Sequence, residues 1–219
     1  MTILALTTST DRGSLAVLKD NKIIDQIEWE KKVQHSEVLT VFIQKLLQKT
    51  KTNPKDLKAI AVDKGPGSFT GCRMAVNVAR TMCYTLNIPL FAAHSLDVMA
   101  FGARKHKGKI VCVLNAHKSL LYFQWYESDG KEITSTGPAI QAISIEKVLA
   151  TISPKVFVLG EVPPEIKSKK LKITVPEAVD LALMTIEKKY QDRFQRWQEV
   201  EPSYVRVPDV VEKLQKKST

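Results

Sequence analysis

This sequence contains few cysteines and no long apolar runs. Its 219 residues include three cysteines, an odd number, which lie in apolar contexts at spacings that match no metal site. We therefore predict that Cys72, Cys83 and Cys112 are buried, reduced thiols, with no disulfide framework. No apolar run approaches the roughly 18 residues needed to cross a bilayer, and the start MTILALTTST has no basic region before its apolar residues. These absences predict a cytoplasmic protein with no metal, no cofactor and no membrane contact.

The usual phosphate-binding motifs are also missing. The stretch GPGSFTG at 65–71 looks like a phosphate cradle, but a P-loop starting there would need Gly-Lys-Ser/Thr at 70–72, where the chain has Thr-Gly-Cys. The dinucleotide pattern fails because its third glycine would fall on Thr70. We instead predict a structural loop made of Gly65, Pro66, Gly67, Ser68 and Gly71.

This loop is predicted to set the start of a helix. Gly65 or Gly67 takes a positive φ in the tight turn, and the Ser68 hydroxyl caps the helix by accepting from the N–H of residue 70 or 71. The alternative function is anion binding by the unpaired amides at the helix start.

The helix predicted at 68–86 has an unusually wide apolar arc. At about 100° per residue, its small and apolar residues fill about 200°, whereas a helix on one sheet face needs little more than about 100°. The surplus indicates packing against another helix or another chain, with Ala75 and Ala79 allowing close approach. A helix sandwiched inside its own domain would account for the arc as well.

The chain is strongly basic, with a net charge of +10 and a pI of 9.4. This charge favours acidic partners, nucleic acid first. Lysine and arginine cluster at 104–109, 167–172 and 213–217, but without the interleaved aromatic residues of a single-strand stacking platform. We therefore interpret these clusters as solvated lysines.

The order of predicted elements repeats along the chain. Three strands at 2–8, 14–19 and 22–30 are followed by a helix at 36–49, the strand AIAVD and the helix at 68–86. After a strand and a helix within 89–105, the order recurs as strands KIVCVLN, LLYFQWY and KEITST, helix SIEKVLATI, strand KVFVLG and helix PEAVDLALMTIEKK.

This order predicts an α/β protein of two lobes, each with a mixed sheet and flanking helices. The first lobe is assigned to 1–103 and the smaller second lobe to 104–219. The charged tail from Gln191 onward is predicted to be peripheral or to return to the first lobe.

The duplicated order is that of the actin-like ATPase and sugar-kinase fold, which is built from two ribonuclease-H-like lobes. The blocks ILALTTST, HSEVLT, GPGSFTGCRMAV, HSLDVMA and PSYVR together resemble the TsaB (YeaZ) family of tRNA threonylcarbamoyladenosine biosynthesis proteins. The resemblance covers nearly the whole chain in the right order. It implies a non-catalytic subunit that pairs with a TsaD-type paralogue, joins a TsaE-type ATPase in a larger complex, meets tRNA through that complex and can form a homodimer when alone.

The resemblance also implies where the partner binds. In that family, the helices that correspond here to 36–49 and 68–86 form the pairing surface. Its predicted members are Val38, Phe42, Leu46, Cys72, Met74, Ala75, Val78, Ala79 and Met82.

Carboxylates are missing where actin-like enzymes need them. Such enzymes usually end the first strand of each lobe with an acid that positions Mg²⁺ or water, and the resembled family commonly has D-T-S and D-A-R there. This chain has Thr7 and Asn115 instead, with His117 in place of the arginine. A hydroxyl and an amide lack the negative charge that holds a divalent cation. The residues Thr7, Ser9, Thr10, Asp11 and Asn115 therefore predict at most a weak nucleotide cleft.

Two rival functions stay open at this point. Asp11 and Asp63 could serve a divergent ATPase or a glycoprotease-type hydrolase, although a solvated loop acid is the simpler interpretation of Asp63. The other rival is a free-standing tRNA-binding module, whose affinity would fall steeply with salt. His35 has no second histidine four residues later, so it is interpreted as a cap or surface residue.

Overall fold

The structure is a computed structural model that describes residues 1–30, 35–153, 156–166 and 170–206. The strands are β1 (Thr2–Thr7), β2 (Arg12–Lys19), β3 (Lys22–Glu30), β4 (Ala59–Asp63), β5 (Leu90–Ala93), β6 (Gly108–Asn115), β7 (Leu120–Ser128), β8 (Ile133–Ser144), β9 (Phe157–Gly160), β10 (Lys170–Ile173) and β11 (Phe194–Gln195). The α-helices are α1 (His35–Lys49), α2 (Phe69–Leu86), α3 (Ser95–Gly102), α4 (Ile145–Thr151) and α5 (Ala178–Met184). Short 3₁₀ turns span Pro54–Asp56, Lys188–Arg193 and Trp197–Glu199.

The first sheet has the strand order β11-β5-β4-β1-β2-β3. Its centre, β1, is antiparallel to β2 and parallel to β4, and every residue of β1 and β4 is buried. Both faces are covered, because α1 and α2 pack on one face while α5 and Phe101 of α3 pack on the other. A strand buried on both faces explains the continuous apolar runs ILAL and AIAV.

The second sheet has the order β10-β9-β6-β7-β8, again with parallel and antiparallel pairs. The helix α3 packs against β6 and against α5, so it lies between the two sheets. The helix α4 covers the other face of the second sheet, next to β7 and β8. Two mixed sheets with flanking helices confirm the predicted actin-like fold class.

Most predicted elements are confirmed, and the C-terminal part is where the structure differs. The helix predicted at 176–189 is shorter and packs on the first sheet, whereas the repeated order placed it with the second. The chain leaves this helix through a 3₁₀ turn in which Tyr190 has non-helical backbone angles. The short strands β10 and β11 were not predicted; β10 overlaps the lysine cluster at 167–172, whose charge conceals a strand pattern.

The tail is not simply peripheral. Phe194 and Gln195 pair with β5 at the edge of the first sheet, and Val200 is buried. Further on, the N–H of Ser203 donates to the carbonyl of Lys64 over 2.7 Å. Residues 194–203 therefore return to the first sheet. The lysine cluster at 213–217 lies outside the described residues.

Two absences can be stated for the described ranges. All three cysteines are free and buried, as predicted. No helix in the described part of the chain is both long enough and apolar enough to cross a membrane.

Candidate functional site

The loop at 65–71 is built into the end of β1. Gly65 has a φ of 98°, which confirms the predicted positive φ. A Cβ on Gly67 would lie 2.0 Å from the Ser9 carbonyl oxygen, and one on Gly71 would lie 1.9 Å from that of Thr8. These two positions need glycine because the backbone of one segment touches the backbone of the other.

The same contacts fix where α2 begins. The Ser68 hydroxyl accepts from the N–H of Gly71 over 3.3 Å, so the predicted N-cap is confirmed. The Ser68 N–H donates to the Ser9 carbonyl over 2.6 Å, and the Gly65 N–H donates to Asp63 over 2.9 Å. Three amides that a phosphate cradle would direct at a ligand are thus occupied within the chain.

Asp63 is the centre of this junction. It is fully buried, and its carboxylate accepts from the hydroxyls of Ser9 and Ser95 and from the Gly65 N–H. Burial raises the pKa of Asp63, and the three hydrogen bonds oppose that rise. The interpretation of Asp63 as a solvated loop acid is therefore wrong. Its carboxylate joins β4, the end of β1, the loop and the start of α3.

The other predicted cleft residues of the first lobe are mostly buried and internally bonded. Thr7 is 1% exposed; its hydroxyl donates to the Pro176 carbonyl over 3.2 Å and shares a hydrogen bond with Ser14 over 2.7 Å. Ser9 and Thr10 are also buried, whereas Asp11 is exposed. Asp63 is enclosed by donors from Ser9, Ser95 and Gly65, whereas Asp11 lies at the surface.

The equivalent strand end of the second lobe opens on a cavity. Asn115 ends β6 beside a cavity of about 650 Å³. The Asn115 N–H donates to Glu161 over 2.9 Å, and its side-chain oxygen accepts from the His117 N–H over 2.8 Å. His117, Lys118 and Ser119 all have positive φ, so this turn is left-handed at three successive residues. A nucleotide cleft that uses Asn115 stays a prediction.

Metal-ligating side chains do not gather anywhere in the described ranges: no group of three or more histidine, cysteine, aspartate or glutamate residues there could hold an ion. His35 begins α1, and its side chain lies outside what the structure describes.

The paired helices α1 and α2 lie side by side on the first sheet. A groove of about 490 Å³ runs between the C-terminal half of α1, the turn that follows it and α2, and its apolar lining includes Ile43, Leu47, Pro54 and Met82. Val41 of α1 is 55% exposed. Half-buried apolar side chains continue the surface on both helices: Val38, Phe42, Met74, Val78 and Met82.

Four predicted interface residues lie elsewhere. Leu46, Ala75 and Ala79 are 0% exposed and Cys72 is 2% exposed, so these side chains form part of the first lobe's own core. The prediction that these four residues belong to the interface is therefore wrong, and they are core residues. Periodicity could not separate them from the surface members because both sets lie on the same wide arc of the helix.

The side of α2 that faces away from α1 carries contacts that were not predicted from the sequence. The C-terminal segment packs there, with Trp197 against Tyr84 and Tyr204 against Phe69. Two arginines of α2, Arg73 and Arg80, lie over the rings of Phe69 and Trp197. The aromatic residues of this otherwise charged tail were the feature of the sequence that could have predicted its packing on α2.

The wide arc of α2 therefore has causes inside the chain. The helix contacts the sheet with its most buried side, α1 with a second side and the C-terminal segment with a third. These contacts leave uncovered the half-buried apolar surface that α2 shares with α1, and they leave Phe69 and Tyr84 partly exposed on the other side of the helix.

Comparison with known proteins places the chain in a defined class. The family model described as TsaD, tRNA N6-adenosine threonylcarbamoyltransferase, matches residues 22–178, so the chain carries a TsaD-type domain. The TsaB protein of Buchnera aphidicola subsp. Schizaphis graminum is 32% identical over 190 residues, which cover 82% of this chain and 90% of that protein. The TsaB protein of Bacillus subtilis is 35% identical over 127 residues, covering 58% of this chain and 56% of that protein.

Solved structures agree on the fold. YeaZ from Pseudomonas aeruginosa superposes with a TM-score of 0.80 at 23% identity, covering 93% of this chain and 99% of that one. A second structure, of a Pseudomonas aeruginosa protein described as similar to the peptidase YEAZ, gives a TM-score of 0.81 at 24% identity, covering 94% and 99%. This chain belongs to the TsaB (YeaZ) family.

Proposed function

We propose that this protein acts in tRNA threonylcarbamoyladenosine biosynthesis as a non-catalytic subunit that pairs with a TsaD-type protein. Relatives across the family are named for that pathway, and the matched domain is that of the transferase itself. The larger complex with a TsaE-type ATPase, through which tRNA would be met, belongs to the same proposal.

The observation that carries the proposal is the uncovered apolar surface on α1 and α2. Val41 is more than half exposed and lies on the same helix as Ile43 and Leu47, which line the groove that Met82 closes from α2. An apolar surface of this kind gains free energy when a complementary helix pair covers it. In the absence of the partner, a second copy of the chain can cover the same surface, giving a homodimer.

The non-catalytic role is supported by how the first lobe uses its polar groups. Asp63 is enclosed by three donors and Thr7 is bonded to Pro176, so neither faces a substrate. A hydrolase that used Asp11 and Asp63 together would need the second carboxylate released from its buried network.

The test of pairing uses an exposed position, because a charge at the buried Ala79 would lie in the core and unfold the lobe. Val41→Asp is expected to weaken association with the TsaD-type partner at least tenfold in a calorimetric titration. Ile24→Asp is the matched control, since Ile24 is an exposed apolar residue of β3 with 48% exposure. Equal affinity for Val41→Asp and Ile24→Asp would show that pairing uses another surface.

The test of the non-catalytic role is a turnover assay on the purified chain alone. We expect no steady hydrolysis of ATP or peptide. Turnover that Asp11→Asn abolishes, in a variant whose melting temperature is unchanged, would establish the enzyme function instead.

A further inference from the structure

The side of α2 that faces away from α1 carries aromatic and arginine side chains. Some come from the helix and the others from the C-terminal segment that packs beside it. We call this set the aromatic–arginine strip; its members are Phe69, Arg73, Arg80, Tyr84, Trp197 and Tyr204.

One end of the strip lies at the start of α2. The ring centroids of Phe69 and Tyr204 are 5.1 Å apart with an interplanar angle of 34°, and Arg73 Cζ lies 5.2 Å from the Phe69 centroid. Phe69 is 43% exposed, Tyr204 is 49% exposed and Arg73 is exposed. Much of each side chain therefore remains available after the intramolecular contact is made.

The other end lies near the last turns of α2. The rings of Tyr84 and Trp197 are 5.2 Å apart at 67°, and Arg80 Cζ lies 5.8 Å from the Trp197 centroid. Tyr84 is 68% exposed, the largest exposure among the aromatic members. An aromatic side chain left this open contributes little to the stability of the lobe, since most of its surface stays in water.

The strip has the length and charge of a nucleic-acid surface. Phe69 and Tyr84 are fifteen residues apart, which at about 1.5 Å per residue is about 22 Å, or about six stacked nucleotides at ~3.4 Å each. Its arginines contribute to the net charge of +10 that the chain carries. The exposed Glu199 and Glu201 lie on the same segment and set a limit on the positive potential there.

We propose that the aromatic–arginine strip binds single-stranded nucleic acid directly. Bases stack on the exposed faces of Phe69, Tyr84 and Tyr204, because every base has a π-face that an aromatic ring can cover. Arg73 and Arg80 pair with phosphates. Positive charge together with open aromatic rings favours this ligand over an acidic protein, which would use the charge but not the stacking.

This inference goes beyond the proposed function, because it gives the chain a binding activity that needs no partner. The strip and the pairing surface lie on opposite sides of α2, so variants of one leave the other intact.

The experiment measures fluorescence anisotropy of a labelled twelve-nucleotide oligouridine with the full chain, between 50 and 200 mM salt. The double variant Phe69→Leu/Tyr84→Leu is expected to bind about tenfold or more weakly, because it keeps apolar bulk and removes two stacking faces. Arg73→Gln is expected to weaken binding and to reduce the slope of log affinity against log salt by about 0.7, the value for one phosphate contact on a single strand. Oligothymidine of the same length tests whether the 2′-hydroxyl matters.

The matched control is Arg12→Gln, which removes an exposed arginine from β2, where it pairs with Glu28 over 2.9 Å. It should leave affinity and slope unchanged if binding is local to the strip. Failure of the parent chain to bind either oligonucleotide would overturn the proposal, as would equal losses for Arg73→Gln and Arg12→Gln. If the strip variants instead lose the TsaD-type partner while oligonucleotide binding is unchanged, the strip is a protein interface and the proposal is wrong.

Discussion

The chemistry open to the cysteine thiols is limited by burial. Burial raises the pKa of Cys83 to about 12, and it also raises the pKa values of Cys72 and Cys112. Since the thiolate is the reactive form, all three should be inert in the folded protein.

We expect a thiol reagent such as dithionitrobenzoate to label none of the three cysteines at pH 8 under native conditions and all three in denaturant. The measurement is the absorbance of the released chromophore over an hour. Rapid native labelling of one cysteine would show that the lobe opens locally at that site, and Cys→Ser variants would identify which.

Asp180 makes stability depend on pH. Burial raises its pKa from 3.8 to about 6, with Glu177 adding to the rise and Arg104 and Lys172 opposing it. Because the folded-state value is the higher one, its favourable contribution is complete below about pH 4 and is lost as the pH rises through about 6. At 1.36 kcal/mol per pKa unit, the loss is about 2 to 3 kcal/mol.

The substitution Asp180→Asn should therefore raise the free energy of unfolding at pH 7.5 by up to about that amount while changing it little at pH 4. Urea unfolding at the two pH values measures the difference. Asp129→Asn serves as a control, since Asp129 is an exposed acid with a lowered pKa and should show no gain at pH 7.5. An equal effect at both pH values would assign the change to packing rather than to titration.

At the scale of elements, the start of α2 is fixed by the loop before it. Ser68→Ala removes the cap on Gly71 and should lower the free energy of unfolding by about 1 kcal/mol. Gly67→Ala should cost more, because its Cβ would overlap the Ser9 carbonyl and force the loop away from β1. Thermal melting ranks the variants, and Thr70→Ala, an exposed change in the same first turn, is the control.

The loop acts as a scaffold if its function is to fix the start and direction of α2. Nucleotide titration distinguishes this scaffold role from phosphate binding. Loss of nucleotide affinity with unchanged melting temperature in Gly67→Ala would contradict the scaffold interpretation. Loss of stability together with weaker pairing is the expected result, since the loop sets the direction of the pairing helix.

Helices, caps and turns could be predicted from the sequence far better than contacts between residues that lie far apart along the chain. The N-cap at Ser68, the positive φ at Gly65 and the bounds of α1 and α2 follow from local chemistry, which is why they could be predicted. Asp63 was misplaced because its three donors come from segments 2 to 54 residues away along the chain. The aromatic–arginine strip was not predicted for the same reason, since Trp197 and Tyr204 lie more than a hundred residues after the α2 residues that they contact.

At the scale of the whole molecule, the C-terminal segment holds parts of both sheets together. Asp97 of α3 accepts from Tyr126 of β7 over 2.7 Å and pairs with Arg193 over 2.9 Å, just before β11 joins the first sheet. Further along, Arg206 donates to the Ala116 carbonyl beyond β6 over 2.7 Å.

Loosening this segment should lower the stability of the first lobe. Val200 is 1% exposed in the core beneath α2, so Val200→Ala is expected to cost about 2 kcal/mol of unfolding free energy. Glu201→Ala, at an exposed neighbour, should cost less than about 0.5 kcal/mol. Guanidinium unfolding followed by the fluorescence of the three tryptophans measures both changes, and equal values would show that the segment is not part of the cooperative unit.

The return of β11 to the first sheet has a consequence for synthesis on the ribosome. The strand β5 is complete at Ala93, but its outer edge stays unpaired until Phe194 and Gln195 have been made about a hundred residues later. During that interval a growing chain exposes an open strand edge and the bare side of α2, which are the features that invite pairing with a neighbouring chain. Nascent chains halted before residue 194 should therefore be the species that a chaperone holds, and release should coincide with emergence of the tail.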